Sequence, residues 1–539
     1  MNKTYAQVVF ENFRKHRLGF ASLFVILIFC FIGIYAPLLA SSKPLVVNYD
    51  GIWYFPLFRY LFFTGFYTKP LDIFFNLFMF TVPLLILIYF IVMPKKIRSV
   101  LMGSVLILQL ILFTWIITSR SMDPAQDPKL NYMRMEASKN QKGIHSFEFD
   151  LKYMTPYKKL NLLLNYLQLK DQNERLSDIS EEYKLKAIHS LVEMAARDER
   201  ALLLSQGVLL QDLPNIEELK KQGWRKISAD ELKAKTQIPT LWNINLENQH
   251  QQIIRLKEEL TQNPKNLITQ ASLKYIEDKD KWLTGESAKI RFRVMPLVRD
   301  FHFEEDAGGE QSLNQYLPWW ELSRTNRKDL VAALIFGVRV SLVVGILAVG
   351  LSLIISVPIG AFAGYYGGTF DIIVSRLLEV LEAMPTFFML LMIIAITQSK
   401  SIFLVIAMIG LFGWTGFSRY IRGEFFKQRN LPYVESCHAL GFSDAHIMFS
   451  QILPNAIPPL LTLLPFAMMG AITSEAGLSF LGLGEEGSAS WGVLMDEGRS
   501  AFPAESYLLW PPAILLTILL VAIALVGDGL RDAIDPKMR

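Results

Sequence analysis

Few side chains in this sequence could do chemistry, and most of those sit in apolar surroundings. Glu475 lies within the apolar run Ile457 to Leu478. An acid there is costly in hydrocarbon and tends to be kept for function. Glu475 therefore either gates or lines a path, or pairs within an interface between subunits. Arg376, Glu379 and Glu382 form a second group, spaced three apart on one helical face near the end of another apolar run. They either contact a substrate or a partner arginine, or are headgroup-level acids paired with Arg376. His438 and His446 read as solvated contact residues rather than metal ligands. The two cysteines, Cys30 and Cys437, fall on different stretches, and no Cys/His cluster has metal-ligand spacing. Gly364, Gly367 and Gly368 read as a tight turn and not as a phosphate cradle, since no strand precedes them. No G-x4-G-K-[ST] occurs, and no nucleophile–base pair is apparent. The chain is thus expected to bind no cofactor and no metal, and to have no catalytic residue.

The elements that position these groups are mostly bilayer spans. Of 539 residues 52% are hydrophobic and 19% charged, too apolar a balance for an ordinary soluble protein. A net charge of +4 in a chain this long does not suggest a nucleic-acid partner. Arg14, Lys15 and Arg17 precede the apolar run Leu18 to Ala40. That order fits an uncleaved signal-anchor helix or a cleavable signal peptide, and either places the N-terminus inside. Asp72 to Met93 and Val100 to Thr118 flank the basic turn Pro94, Lys95, Lys96, Arg98, which reads as a hairpin dipping in and back out. Trp53, Tyr54, Tyr60 and Tyr67 suit the outer interface, and Trp491 reads as an interfacial anchor.

Five more apolar runs follow: Leu330 to Gly364, Ile372 to Thr397, Ile402 to Tyr420, Ile457 to Leu478 and Leu508 to Val526. About eight spans result, with the C-terminus inside. Between the two sets lie some two hundred polar residues with helical patterns, such as "YKKLNLLLNYLQL" and "LKAIHSLVEMAARDERALLL", and "NIEELKKQGWRKISADELKAK" reads as two helices split at Gly223. Span parity places this mainly helical insert outside. The expected partition is 1–40 for the N-terminus and first span, 41–71 outside, 72–118 for the hairpin, 119–328 for the insert and 329–539 for the remaining bundle.

The segment Tyr433 to Asn455 is polar and joins two spans. Its composition predicts a helix up to Gly441, a turn there, Ser443 as the next N-cap and a break at Leu453-Pro454. Two short helices at an angle could dock in a partner's groove, or could simply connect two spans.

That segment resembles the E-A-A-x3-G-x9-x-I/V-L-P signature of permease subunits of ATP-binding-cassette importers. Glu435, Gly441, Leu453 and Pro454 fall at its spacing, Ser436 and Cys437 replace the two alanines with small residues, and Ala439 lies between. The likeness extends over residues 330–539: "FGVRVSL" at 336–342, "GAFAGYYGG" at 360–368, Arg376, Glu379 and Pro385 in an "RxxDxxxxxP" pattern, "EAGLSFLGLG" at 475–484, "SWG" at 490–492 and "GDGLRDAIDP" at 527–536. This set is similar to the C-type subunit of dipeptide, oligopeptide and nickel importers. "KPLVVNYDGIWYFPLF" at 43–58 is similar to a segment of microcin C-type peptide permeases. The added hairpin, the large insert and the reduced "LSRTNRKD" at 322–329 depart from the family pattern.

The resemblance implies an all-α membrane protein with a type I importer bundle, five of its spans forming the core, in the bacterial inner membrane. It implies a second permease subunit as heterodimer partner, two ATPase subunits carrying ATP and Mg, and a periplasmic solute-binding protein that delivers the solute; the insert, which the family pattern lacks, is expected to dock that protein. Residues 433–455 become the coupling helix, with Glu435, Ser436, Cys437, Ala439, Gly441, Leu453 and Pro454 contacting the ATPase. The competing readings are a secondary transporter or channel, which the shortage of acids and histidines in the spans disfavours, and a sensor or scaffold built on the insert.

Overall fold

The computed structural model describes residues 5–63, 68–91, 94–119, 126–140, 146–177, short pieces between 196 and 221, 241–298, 330–485, 487–500 and 508–534. Its elements run α1 (Tyr5–Lys15), α2 (Arg17–Leu39), β1 (Val46–Tyr49), β2 (Ile52–Tyr54), α3 (Pro56–Tyr60), α4 (Pro70–Phe90), α5 (Lys95–Thr118), α6 (Pro128–Asn140), α7 (Phe147–Tyr153), α8 (Pro156–Ser177), α9 (Leu241–Gln262), α10 (Leu267–Ser287) and β3 (Ile290–Val294). There follow α11 (Leu330–Tyr366), α12 (Gly368–Ala383), α13 (Thr386–Thr397), α14 (Ile402–Gln428), α15 (Pro432–Ala439), α16 (Asp444–His446), α17 (Leu453–Leu461), α18 (Leu464–Leu478), α19 (Trp491–Ser500) and α20 (Trp510–Ile534). Tyr67, residues 322–329 and most of 185–204 and 222–235, all read above from sequence, lie outside the described residues.

Among the described residues, seven helices are long and apolar enough to cross a bilayer: α2, α4, α5, α11, α14, α18 with the residues that continue it to Leu483, and α20. The protein is a multi-pass membrane protein. The sequence suggested a span over Ile372 to Thr397; there the chain bends by 76° between α12 and α13, and the bent pair counted as one span makes eight. Pro385 is the cause. It disfavours the helical region for the residue before it, and Met384 accordingly adopts φ −88°, ψ 126°. The span expected from Ile457 begins later, at Leu464. Pro458 and Pro459 cannot donate to the helical ladder, and the chain closes on tightened turns from Thr462 N–H to the Pro459 carbonyl (3.2 Å) and from Leu463 N–H to the Leu460 carbonyl (3.0 Å).

The chain forms two compact units. One comprises Met1–Ala36, Lys69–Thr114 and Ala333–Arg539. Its core joins α4, α11, α14 and α18 through Leu71, Phe75, Val340, Val344, Ile406 and Ala471. A second cluster joins α11, α14 and α17 to the segment between α14 and α17.

The other unit comprises Pro37–Thr68 and Trp115–Ala332. It is helical with a three-stranded antiparallel sheet, order β2-β1-β3, which the helical patterns do not announce. Asp50 and Gly51 form the β1–β2 turn with φ of 51° and 78°, the double positive φ that a two-residue hairpin requires and that Asp-Gly accommodates. β3 arrives from some 240 residues away and pairs Val46 with Val294. Val47 and Tyr49 of β1 turn inward onto Leu160, Leu163 and Leu164 of α8.

Candidate functional site

The segment from α15 to α17 is an elbow whose geometry follows from three residues. Pro432 opens α15 at the first turn, where its missing N–H goes unused. Gly441 closes it in the left-handed region at φ 76°. Phe442 N–H donates to the Cys437 carbonyl (3.1 Å) and Gly441 N–H to the His438 carbonyl (3.0 Å). That pair of bonds satisfies the carbonyls at the helix end in the Schellman manner. Ser443 then caps α16, its hydroxyl accepting from His446 N–H at 3.4 Å.

The chain does not break at Leu453-Pro454 as its composition suggested. Residues Ile447–Ile452 widen into a π-helical stretch, and Leu453 N–H donates to the Met448 carbonyl. The helix then continues into α17, with Pro454 in its first turn. A proline ring collides with the carbonyl four residues back, and a wider turn relieves that collision without ending the helix.

One side of the elbow is anchored. Val434, Ile447, Met448 and Ile452 are buried against Phe417, Ile421 and Phe425 of α14. Tyr365 at the end of α11 donates to Asp444 Oδ1 at 2.9 Å and lies 3.2 Å from His438 Nε2. Arg429 Nη1 donates to the carbonyls of Gly364 (3.2 Å) and Tyr365 (3.1 Å), covering the carbonyl end of α11. Arg422 pairs with Asp371 in the first turn of α12, Nη2 to Oδ2 at 2.8 Å. Gly364 belongs to α11 rather than to the turn, which Gly367 and Gly368 make at φ 67° and 60°. A Cβ at Gly364 would lie 2.6 Å from the Arg422 carbonyl, so the bare backbone sets how closely α11 approaches α14.

The other side is open. Glu435, Ser436, Ala439 and Gly441 are exposed, and Cys437 is half-buried. Leu440 is 75% exposed and Phe442 44%. Two large apolar side chains flanking a glycine turn make a compact knob, fixed from beneath and uncovered above, which is what docking in a groove requires. Leu453 is partly buried against the anchoring cluster, behind this face.

The remaining sequence candidates lie apart from the elbow. Glu475 is 2% exposed, and its Oε1 accepts from the hydroxyls of Ser479 and Ser490, each at 2.7 Å. It is an interior acceptor between α18 and α19. Trp491 is not an exposed interfacial anchor: it is 1% exposed, and its Nε1 donates to the Leu334 carbonyl at 3.0 Å. Arg376 and Glu379 pair at 2.6 Å on an exposed face, and Glu382 pairs with Arg419.

Sequence reasoning met Arg339 only as a member of the 336–342 motif and gave it no role. It is completely buried in α11, where its guanidinium donates to the Gly33 carbonyl (2.7 Å), Asp72 Oδ1 (3.0 Å) and Asn76 Oδ1 (2.9 Å), between the rings of Phe75 and Phe336. The available signal was an arginine inside one apolar run and an Asp and Asn four residues apart at the start of another.

Comparison with known proteins gives two family matches. Residues 356–539 match the family described as binding-protein-dependent transport system inner membrane component, and residues 4–56 the N-terminal TM domain of oligopeptide transport permease C. The oligopeptide transport system permease protein OppC of Haemophilus influenzae is 35% identical over 253 residues, 46% of this chain and 81% of that protein. The dipeptide transport system permease protein DppC of Bacillus subtilis is 27% identical over 310 residues, 56% of this chain and 95% of that one. The peptidoglycan transport system permease protein YejE of Agrobacterium fabrum is 36% identical over 219 residues, 40% of this chain but 57% of the relative, so a good part of that protein has no counterpart in the alignment. A solved inward-facing structure of the MetNI methionine ABC transporter overlaps 38% of this chain and 96% of its own at 17% identity and a TM-score of 0.32.

Proposed function

This chain belongs to the family of binding-protein-dependent transport system inner membrane components, and from that premise we propose that it is the permease subunit of an ATP-driven importer that carries short peptides across the inner membrane. It supplies the path and not the ATPase. Its partners in this reading are a second permease subunit, two cytoplasmic ATPase subunits carrying ATP and Mg, and a periplasmic solute-binding protein. Both termini and the elbow face the cytoplasm.

The single observation that carries the reading is the elbow's two-sidedness. A force applied to Leu440, Gly441 and Phe442 acts on helices whose inner faces are packed into α14 and hydrogen-bonded to the end of α11. Because packed cores move as bodies and resist continuous deformation, the push is delivered to two spans at once. Opening and closing of the path by rigid movement of bundles needs this kind of link. The peptide substrate is supported by the relatives' printed names, OppC and DppC.

The test is uptake of radiolabelled di- and tripeptides by cells lacking only this gene, complemented with the parent chain or with Gly441→Asp. The parent restores uptake. The variant inserts normally yet restores none, because it sets a carboxylate between Leu440 and Phe442, on the apolar face that the partner's groove must cover. Equal uptake without the gene would remove the peptide reading.

A further inference from the structure

In the unit that contains α6 to α10, a cavity of about 300 Å³ lies among α6, α7, α8 and α10. It falls at the lower end of the range for small-ligand pockets, roughly 300–1,000 Å³. One wall is cationic and is built around Arg134. The fully buried carboxylate of Asp150 accepts Arg134 Nε at 2.9 Å, a second bond from Arg134 Nη2, and the Tyr275 hydroxyl at 2.9 Å. Committing Nε and Nη2 to Asp150 fixes the guanidinium plane and leaves the Nη1 edge for another acceptor. The hydrogen bonds to Asp150 raise the Arg134 pKa and push Tyr275, already raised by burial, up to about 12, so the cation and its hydroxyl neighbour keep these states at any working pH.

Lys158 and Lys279 line the same cavity. Asp127 does too, but its carboxylate is already saturated by the N–H groups of Thr155 (2.6 Å) and Leu130 (3.3 Å). Arg134 and Lys279 therefore face two carboxylates that already have their donors. Phe147, Met154 and Leu162 give the cavity an apolar lining beside these cations. Trp282 and Tyr275 hold Phe147 edge-on, with ring centroids 5.7 and 5.5 Å away.

We propose that this cavity binds the C-terminal residue of a short peptide, its carboxylate on Arg134 and Lys279 and its side chain on the Phe147 wall. A fixed guanidinium with a free edge suits a carboxylate. The apolar wall favours an anion that carries hydrocarbon over inorganic phosphate, and the cations repel a peptide's ammonium end. The inference rests on the peptide-importer reading, and it adds to the permease a carboxylate-reading site outside the spans.

The experiment is isothermal titration calorimetry on the full-length chain in lipid nanodiscs, with no binding protein present. The probes are the dipeptide Ala-Leu, its C-terminal amide, and inorganic phosphate. Ala-Leu binds, the amide binds at least tenfold more weakly, and phosphate does not compete. Arg134→Gln and Lys279→Gln each weaken Ala-Leu at least fivefold. Among the described residues Lys279 forms no ion pair, so its variant keeps the parent melting temperature and remains informative even if Arg134→Gln fails to fold. Equal binding of acid and amide, no binding, or unchanged affinity in Lys279→Gln would each overturn the site. Cellular uptake of Ala-Leu separates the two claims: uptake without cavity binding removes the site and leaves the importer.

Discussion

Arg339 stands where Pro37 leaves a gap. Its Nε donates at 2.7 Å to the carbonyl oxygen of Gly33, the residue four before Pro37 in α2. A proline inside a helix cannot donate to that oxygen, and a carbonyl left bare within a span costs free energy. The side chain of α11 therefore supplies the bond that the first span cannot make for itself. The charge this brings into the interior is answered by α4, whose Asp72 and Asn76 lie one helical turn apart and accept from Nη1 and Nη2. Three spans are tied at one guanidinium, and the first arm of the added hairpin is part of that tie.

Removing Arg339 alone should be more damaging than removing it together with Asp72. Arg339→Met leaves an uncompensated buried acid, and breaking one partner of a buried pair costs about 3–5 kcal/mol. Arg339→Met combined with Asp72→Asn leaves no buried charge and should recover much of that loss. Melting in detergent, followed by the loss of monodisperse protein on heating, reads both. A single variant as stable as the parent would show that the guanidinium ties nothing.

Much of this architecture is legible in the chain. Seven of the apolar runs became spans, and Gly441 and Ser443 took the turn and cap positions their residue types suggest. Local rules worked where the cause is local. They failed where the cause is distant or competes with a neighbour. The pairing of Val46 with Val294 is specified by no residue near either strand. Asp50-Gly51 is a local hairpin signal, but the strand that completes the sheet lies beyond the helical insert. Leu453-Pro454 looked like a break because a proline usually is one, and the π-helical stretch before it absorbed the clash. Trp491 was placed by type, as an interfacial ring, whereas the Leu334 carbonyl that receives its Nε1–H is a property of the packed bundle.

Glu475 should tolerate loss of charge better than loss of its acceptor. Glu475→Gln keeps a carbonyl oxygen for the hydroxyls of Ser479 and Ser490. Glu475→Leu strands both donors, at about 1–3 kcal/mol for each buried group left unsatisfied. Glu475→Leu should therefore melt well below Glu475→Gln, with both inserted to the same level. Equal melting would mean that the hydroxyls find other partners and that the acid is held for transport alone.

The unit containing α6 to α10 should weaken in acid. Burial alone pushes Asp127 up, but the N–H and hydroxyl donors of Thr155 and the N–H groups of Leu130 and Lys129 outweigh it, and its carboxyl titrates below the usual carboxylate range. Glu286 behaves likewise, burial being outweighed by Lys289 (2.8 Å) and Tyr49 (2.9 Å). A group whose folded value is depressed contributes stability above its unfolded value, about 4 for these acids, and loses it as pH falls through the folded value. Hydrogen exchange of α7 and α8 should accelerate as pH drops below about 4 once the intrinsic exchange rate is divided out. Asp127→Asn should be less stable at neutral pH and flatter in acid, and an unchanged acid profile would exclude these carboxylates as the cause.

Gly441 allows the docking surface to be tested apart from the fold. A Cβ there meets no atom within 4 Å, so any cost of substitution comes from the backbone at φ 76° and not from crowding. An ordinary L-residue in that conformation costs roughly 1–2 kcal/mol, and asparagine is the substitute that helix ends accept most readily. Gly441→Asn should keep the turn, Gly441→Val should shift it, and both should leave the buried cluster beneath intact. Co-purification of the ATPase with membranes carrying each variant should then fall in the order parent, Asn, Val, while melting of the isolated permease changes little. If the valine variant retains the ATPase in full, the knob formed by Leu440, Gly441 and Phe442 is not the surface that the motor holds.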